Sequence, residues 1–115
     1  MIYKLLRRGE WNELQAQSQL EGSPVDRADG FIHFSTSAQV RETAAKHFAG
    51  ALDLVLAEID PARLPRPLTW ETSRGGQLFP HLYAALPLAA VVRTWVLAAG
   101  ADGRPIFPKE LPEAP

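Results

Sequence analysis

The chain opens on an alternation. Ile2, Lys4 and Leu6 fall on one side of an extended segment, and Tyr3, Leu5 and Arg7 fall on the other, predicting a strand over Met1–Arg7. Gly9–Ser18 follows with Trp11 and Leu14 three apart among polar residues, the pattern of a short helix with one buried side. Gln19–Gly30 carries turn-forming residues at almost every second position and reads as a long loop. Phe31–Ser35 has the length and content of a buried strand. Thr36, followed three residues later by Gln39, fits a capping box and predicts a helix over Ser37–Phe48. Its buried stripe is Val40, Ala44 and Phe48, and Gly50 is its stop signal. Leu52–Ile59 is apolar on both faces, as a central strand is. Pro61–Pro67 is a proline-punctuated turn with one helical turn at Ala62–Leu64. Leu68–Ser73, Phe79–Ala84 and Val91–Leu97 complete the extended segments, with Gly75-Gly76 as a flexible connection. About six short strands with two helices inserted early describe a small α+β domain over residues 1–108. The proline-rich end over residues 109–115 is expected to be disordered.

Composition narrows the class. A chain of 115 residues is the size of one domain. Twelve Lys+Arg against thirteen Asp+Glu, with the basic residues scattered, predict no broad nucleic-acid surface. The absence of cysteine excludes disulfides, thiolate metal sites and a cysteine nucleophile. The apolar stretch near Ala84–Val92 is broken by Pro87 and far shorter than the ~20 residues of a bilayer span. Together with the lack of a targeting pattern, this predicts a cytoplasmic protein with no membrane contact.

The candidate chemistry lies in three places. His33 is the sole polar interruption of the segment Phe31–Phe34, and Ser35 and Thr36 add two hydroxyls at a helix start, where exposed amides favour an anionic or phosphate-bearing ligand. The alternative is a core histidine satisfied by a nearby Asp, with Thr36 only a cap. Asp26 and Asp29 are turn formers, or groups that orient His33 or receive a sugar hydroxyl; Ser23 is a loop residue or a hydroxyl for phosphate. Glu71 beside Trp70 is either a partly desolvated carboxyl, kept protonated for acid/base work, or a solvated residue opposite an inward Trp70. His81, with Tyr83 on the same side of an extended segment, is the second histidine in an apolar setting. His47 reads as a favourable charge at a helix C-terminus. No metal-ligand spacing, nucleophile elbow, Walker A or G-x-G-x-x-G is present, so the metal expectation is none.

Taken together, Ile2-Tyr3-Lys4, Trp11, Gly22-Ser23 with Asp26, Asp29 to Thr36, Gln39-Val40, Asp53 to Leu56, Trp70-Glu71 and Phe79 to Tyr83 are similar to the family of small bacterial and plant proteins known as domain of unknown function 952. The resemblance spans roughly residues 1–95. It implies a split, mostly antiparallel sheet similar to the ADP-ribosyltransferase fold. In those NAD-using enzymes a strand histidine holds the adenosine ribose, an aromatic ring stacks on nicotinamide, and a glutamate contacts the other ribose. His33 followed by Ser35-Thr36 matches the first motif, with Glu71 the candidate carboxylate and Tyr83 the candidate aromatic. The sequence departs from the pattern in lacking a tyrosine-bearing second motif and the usual glutamate near the end of the sheet.

The expectation is a polar pocket for a nucleotide, an NAD-like molecule or another phosphorylated small molecule. Ser23, Asp26, His33, Ser35, Thr36 and Tyr83 would bind the ligand, and Glu71 and His81 would serve any catalysis. NAD is the possible cofactor and ADP-ribosyl transfer the associated reaction; a non-catalytic nucleotide-sensing or protein-interaction module is the rival.

Overall fold

The computed structural model describes residues 1–111. In chain order its regular elements are β1 (Ile2–Leu6), α1 (Arg8–Gln17), β2 (Gln19–Leu20), α2 (Pro24–Asp29), β3 (Ile32–His33), α3 (Ser37–His47), β4 (Leu54–Ile59), β5 (Thr69–Thr72), β6 (Leu78–Leu82), β7 (Leu86–Pro87) and β8 (Val91–Leu97). The α+β class is as expected. In place of one split sheet of about six strands with two helices, the described residues form eight strands in three separate sheets, ordered β1-β4-β8, β2-β7 and β3-β6-β5, and three α-helices. Every strand pairing is antiparallel.

The largest sheet divides the core. Because side chains alternate along a strand, Ile2 and Leu6 of β1 join Val55, Ala57 and Ile59 of β4 in one cluster, with Leu14 of α1, Leu20 and Ile32. Tyr3 and Leu5 join Leu54 and Leu56 in the other, under Val40 and Ala44 of α3. The strand over 54–59 is central, as its two apolar faces predict. It begins two residues later than the hydrophobic pattern suggests. Asp53 has a left-handed backbone (φ 55) and Leu52 is 78% exposed, so the turn out of α3 ends only there. Leu111 is 2% exposed in the second cluster and Glu110 accepts from Arg93 and Trp95. The end of the chain, expected to be disordered from 109, therefore stays packed through Leu111, and 112–115 lie outside the described residues.

Two departures from the predicted elements shape the site. Within the expected loop over 19–30, Ser23-Pro24-Val25-Asp26 opens α2. The Ser23 amide donates to Asp26 Oδ2 at 2.9 Å, and the Asp26 amide donates to Ser23 Oγ at 3.3 Å. Proline occupies the first turn and Gly30 (φ 86) closes the helix in the left-handed conformation. The strand expected over 31–35 is two residues long, because the chain changes partner. Ile32 and His33 pair with Leu82 and His81, and Ser35 then crosses to Tyr3 through backbone hydrogen bonds of 2.8 and 2.9 Å.

Tyr3 shows how tightly this region is closed. Burial first, then its 2.9 Å hydrogen bond to Glu58 and that residue's charge, push the phenol up to about 12, with Arg93 opposing. A raised folded-state value means that the stabilisation is complete below the unfolded value of 10.0 and is lost as pH rises through about 12. Tyr83 is also shifted upward, by its hydrogen bond to Glu71 and then by burial. Ultraviolet titration should therefore find neither tyrosine half-ionised at pH 10, and Tyr3→Phe should remove the step near 12. A phenol half-titrated at pH 10 in the folded protein contradicts this assignment.

Candidate functional site

The site is built where the ends of β1, α2, β3 and β6 meet. Lys4 shares a face of β1 with Ile2 and Leu6 and is buried there. Its ammonium lies 3.0 Å from Asp26 Oδ2 and donates to the His33 carbonyl at 2.9 Å. Asp26, 2% exposed, is the hub. Its Oδ2 also accepts the Ser23 amide, while Oδ1 accepts the His33 amide at 3.1 Å and faces His33 Nδ1 at 2.6 Å. Burial alone would raise its carboxyl. The bond from His33, the Lys4 charge and the Ser23 and His33 amides outweigh that and hold it well below the usual carboxylate range. The other His33 nitrogen, Nε2, lies 2.9 Å from Asp29 Oδ2. Both ring nitrogens of His33 thus face carboxylates, and Asp29 is more than the turn former its place before Gly30 suggests.

A second carboxylate–imidazole pair stands directly across the strands. His33 and His81 are register partners with ring centroids 5.1 Å apart, edge to face. His81 Nδ1 lies 2.8 Å from Glu71 Oε1, and the Tyr83 hydroxyl donates to both Glu71 oxygens at 2.8 and 3.1 Å. The bond with His81, then that with Tyr83, lowers the Glu71 carboxyl. Of the two readings of Glu71, this opposes the one that keeps its carboxyl protonated. Trp70 points away from it, 48% exposed, into a separate groove with Met1 and Pro67. His81 is 4% exposed, and its Nε2 is buried without a hydrogen-bond partner. A buried imidazole nitrogen left so costs about 1–3 kcal/mol. Phe31 binds the two pairs into one cluster, its ring 4.6 Å from that of His33, 4.1 Å from His81 and 5.1 Å from Tyr83.

Beside the cluster lies a cleft of about 480 Å³, within the range of small-molecule sites. Ser23, Asp26, His33, Ser35 and His81 all line it, bringing together five of the eight candidate residues. Thr36, Glu71 and Tyr83 do not. Thr36 faces the Trp70 groove, and its amide donates to Gln39 Oε1 at 3.1 Å as a helix cap. Glu71 and Tyr83 reach the cleft only through His81. Ser35 Oγ sits 3.2 Å from Thr43 Oγ1, which adds a second hydroxyl to that wall. Arg7 and His47 stand on the same cleft, and Arg7 lies over the Phe48 ring at 5.0 Å. Among the described residues the Arg7 guanidinium makes no ion pair.

Sequence reasoning missed Lys4, Arg7, Thr43 and Phe31 as members of the site. A lone lysine on the apolar face of a strand is a legible sign of a buried ion pair. Phe31 lies two residues before His33 on the same side of the segment, whereas nothing local marks Arg7 or Thr43.

A family model described as "Protein of unknown function (DUF952)" matches residues 5–94. The chain is similar to the crystal structure of protein CC0527 from Caulobacter crescentus, with 50% identity, 91% of this chain and 92% of that chain covered, and a TM-score of 0.86. The solution NMR structure of the same protein gives 51% identity, 90% coverage of each chain and a TM-score of 0.80. No curated protein matches.

Proposed function

The chain belongs to the DUF952 family, and we propose that its cleft binds a phosphorylated small molecule of the nucleotide class. The observation that carries this is the Arg7 guanidinium, unpaired by any carboxylate among the described residues, on a cleft whose polar lining is rich in hydroxyls: Ser23, Ser35, Thr43 and Ser73. Guanidinium and hydroxyl donors are the groups that recognise phosphate oxygens, and the buried carboxylate of Asp26 is already paired with the Lys4 ammonium and bonded to His33. NAD and ADP-ribose fall within this class. Glu71, held by His81 and Tyr83 and set back from the cleft, supports a binding role over ADP-ribosyl transfer.

Calorimetric titration with ribose 5-phosphate, AMP, ADP-ribose and NAD tests this. At least one should bind saturably and raise the melting temperature, as a ligand specific to the folded state does. Arg7→Gln, at an exposed position, should weaken that binding about tenfold while the unliganded melt stays within ~0.5 kcal/mol of wild type. Four flat titrations, or equal affinity in Arg7→Gln, overturn the proposal.

A further inference from the structure

The two histidines of the cluster are not equivalent. His33 has carboxylates on both nitrogens, 2.6 Å from Nδ1 and 2.9 Å from Nε2, so it positions the wall and has no nitrogen to offer. His81 has one carboxylate, Glu71, on Nδ1. An ionised carboxylate accepts only, so the hydrogen of a neutral His81 belongs on Nδ1 and the lone pair on Nε2. That nitrogen is buried and unpartnered, on a residue that lines the cleft. The Tyr83 hydroxyl, donating to both Glu71 oxygens, holds the carboxylate in place from its far side.

We propose that His81 Nε2 is a hydrogen-bond acceptor for a hydroxyl of the ligand, with Glu71 and Tyr83 as positioning residues that fix its tautomer. The inference rests on the phosphorylated-ligand reading and sharpens it: the ligand carries a free hydroxyl as well as a phosphate. A site whose buried acceptor is satisfied only by a ligand donor discriminates strongly against an analogue that lacks it. Such a site prefers AMP to its 2′,3′-dideoxy analogue, and ribose 5-phosphate to inorganic phosphate.

The test has a part without ligand and a part with it. Long-range proton–nitrogen NMR of the free protein at pH 8 should show the His81 hydrogen on Nδ1. Glu71→Gln, whose side-chain amide can donate to Nδ1, should move it to Nε2, and Tyr83→Phe should keep it on Nδ1. AMP should then bind at least about tenfold more tightly than 2′,3′-dideoxy-AMP, shift the Nε2 resonance, and lose most of that preference in Glu71→Gln. A hydrogen found on Nε2 in the free wild-type protein overturns the inference whatever binds. Equal affinity for AMP and the dideoxy analogue also overturns it, while leaving the phosphate reading intact. Failure of every phosphate compound to bind removes the reading beneath it and the hydroxyl acceptor with it.

Discussion

Asp26→Ala should lower the stability of the folded protein by about 3–5 kcal/mol, the cost of leaving one partner of a buried ion pair uncompensated. The carboxylate accepts from the Ser23 and His33 amides, bonds the His33 ring and neutralises Lys4 at 3.0 Å. Removing it strands an ammonium that is itself almost fully buried. Against a total of ~5–15 kcal/mol for a domain of this size, the melting temperature should fall on the order of 10–20 °C. Urea denaturation with an unchanged slope is the measurement, and a loss below ~1 kcal/mol would refute the hub assignment. Asp29→Asn is the control. Its side chain is about half exposed and bonds only the outer nitrogen of His33, so its loss should stay under ~1 kcal/mol. The pH dependence has a definite sign. The Asp26 carboxyl is depressed in the folded state, so its contribution is complete above the unfolded value, ~3.9, and is lost as pH falls through the folded one. Asp26→Asn should accordingly flatten the acid side of the stability profile.

Gly22→Ala should be comparably damaging although it removes nothing. Gly22 has φ 121, and a Cβ there would lie 2.4 Å from Asp26 Cβ and 2.9 Å from Oδ2. Asp26 is pinned on four sides and cannot withdraw, so the substitution adds backbone strain of ~1–3 kcal/mol to disruption of the hub. A loss of about 3 kcal/mol or more is expected. The nearest clash is with Cβ, which alanine retains, so Gly22→Ala should still destabilise an Asp26→Ala background. Gly30→Ala separates the two causes: φ is 86 but nothing lies within 4 Å of the added atom, so only the conformational cost of about 1 kcal/mol remains. Equal losses at the two glycines would show that the contact with Asp26 is not what matters at Gly22.

The sequence made the long, periodic elements legible and obscured those that depend on pairing at a distance. Residues 2–6 and 91–97 alternate, the continuous apolar run over 54–59 marks a central strand, and Thr36 with Gln39 announced α3. Helix α2 was hidden because Ser, Pro, Asp and Gly are counted as turn formers, although Ser23-Pro24-Val25-Asp26 is also a helix start. Within the site, a nearby aspartate was one of the alternatives the sequence left open for His33. Asp29 occupies the second nitrogen of His33, whereas His81 has only Glu71, arriving from β5, on Nδ1 and keeps Nε2 unpartnered. Alternation suggested an inward Trp70 and a solvated Glu71; Trp70 is instead 48% exposed, and Glu71, though partly exposed, bonds His81 and Tyr83.

The partner change made by the segment after Gly30 has a kinetic meaning. The chain touches two sheets within four residues, at Ile32–His33 with β6 and at Ser35 with β1. The contact with β1 closes a loop already present early in the chain, whereas His33 meets His81 only after β4 and β5 have been laid down. Long-range closures are the slow ones because their ordering cost precedes any gain. The Lys4–Asp26–His33 half of the cluster joins residues from the first third of the chain, whereas the His81–Glu71–Tyr83 half needs the later strands β5 and β6. A polypeptide halted before β6 would carry Lys4, Asp26 and His33 but lack both the strand that pairs with β3 and the His81 acceptor.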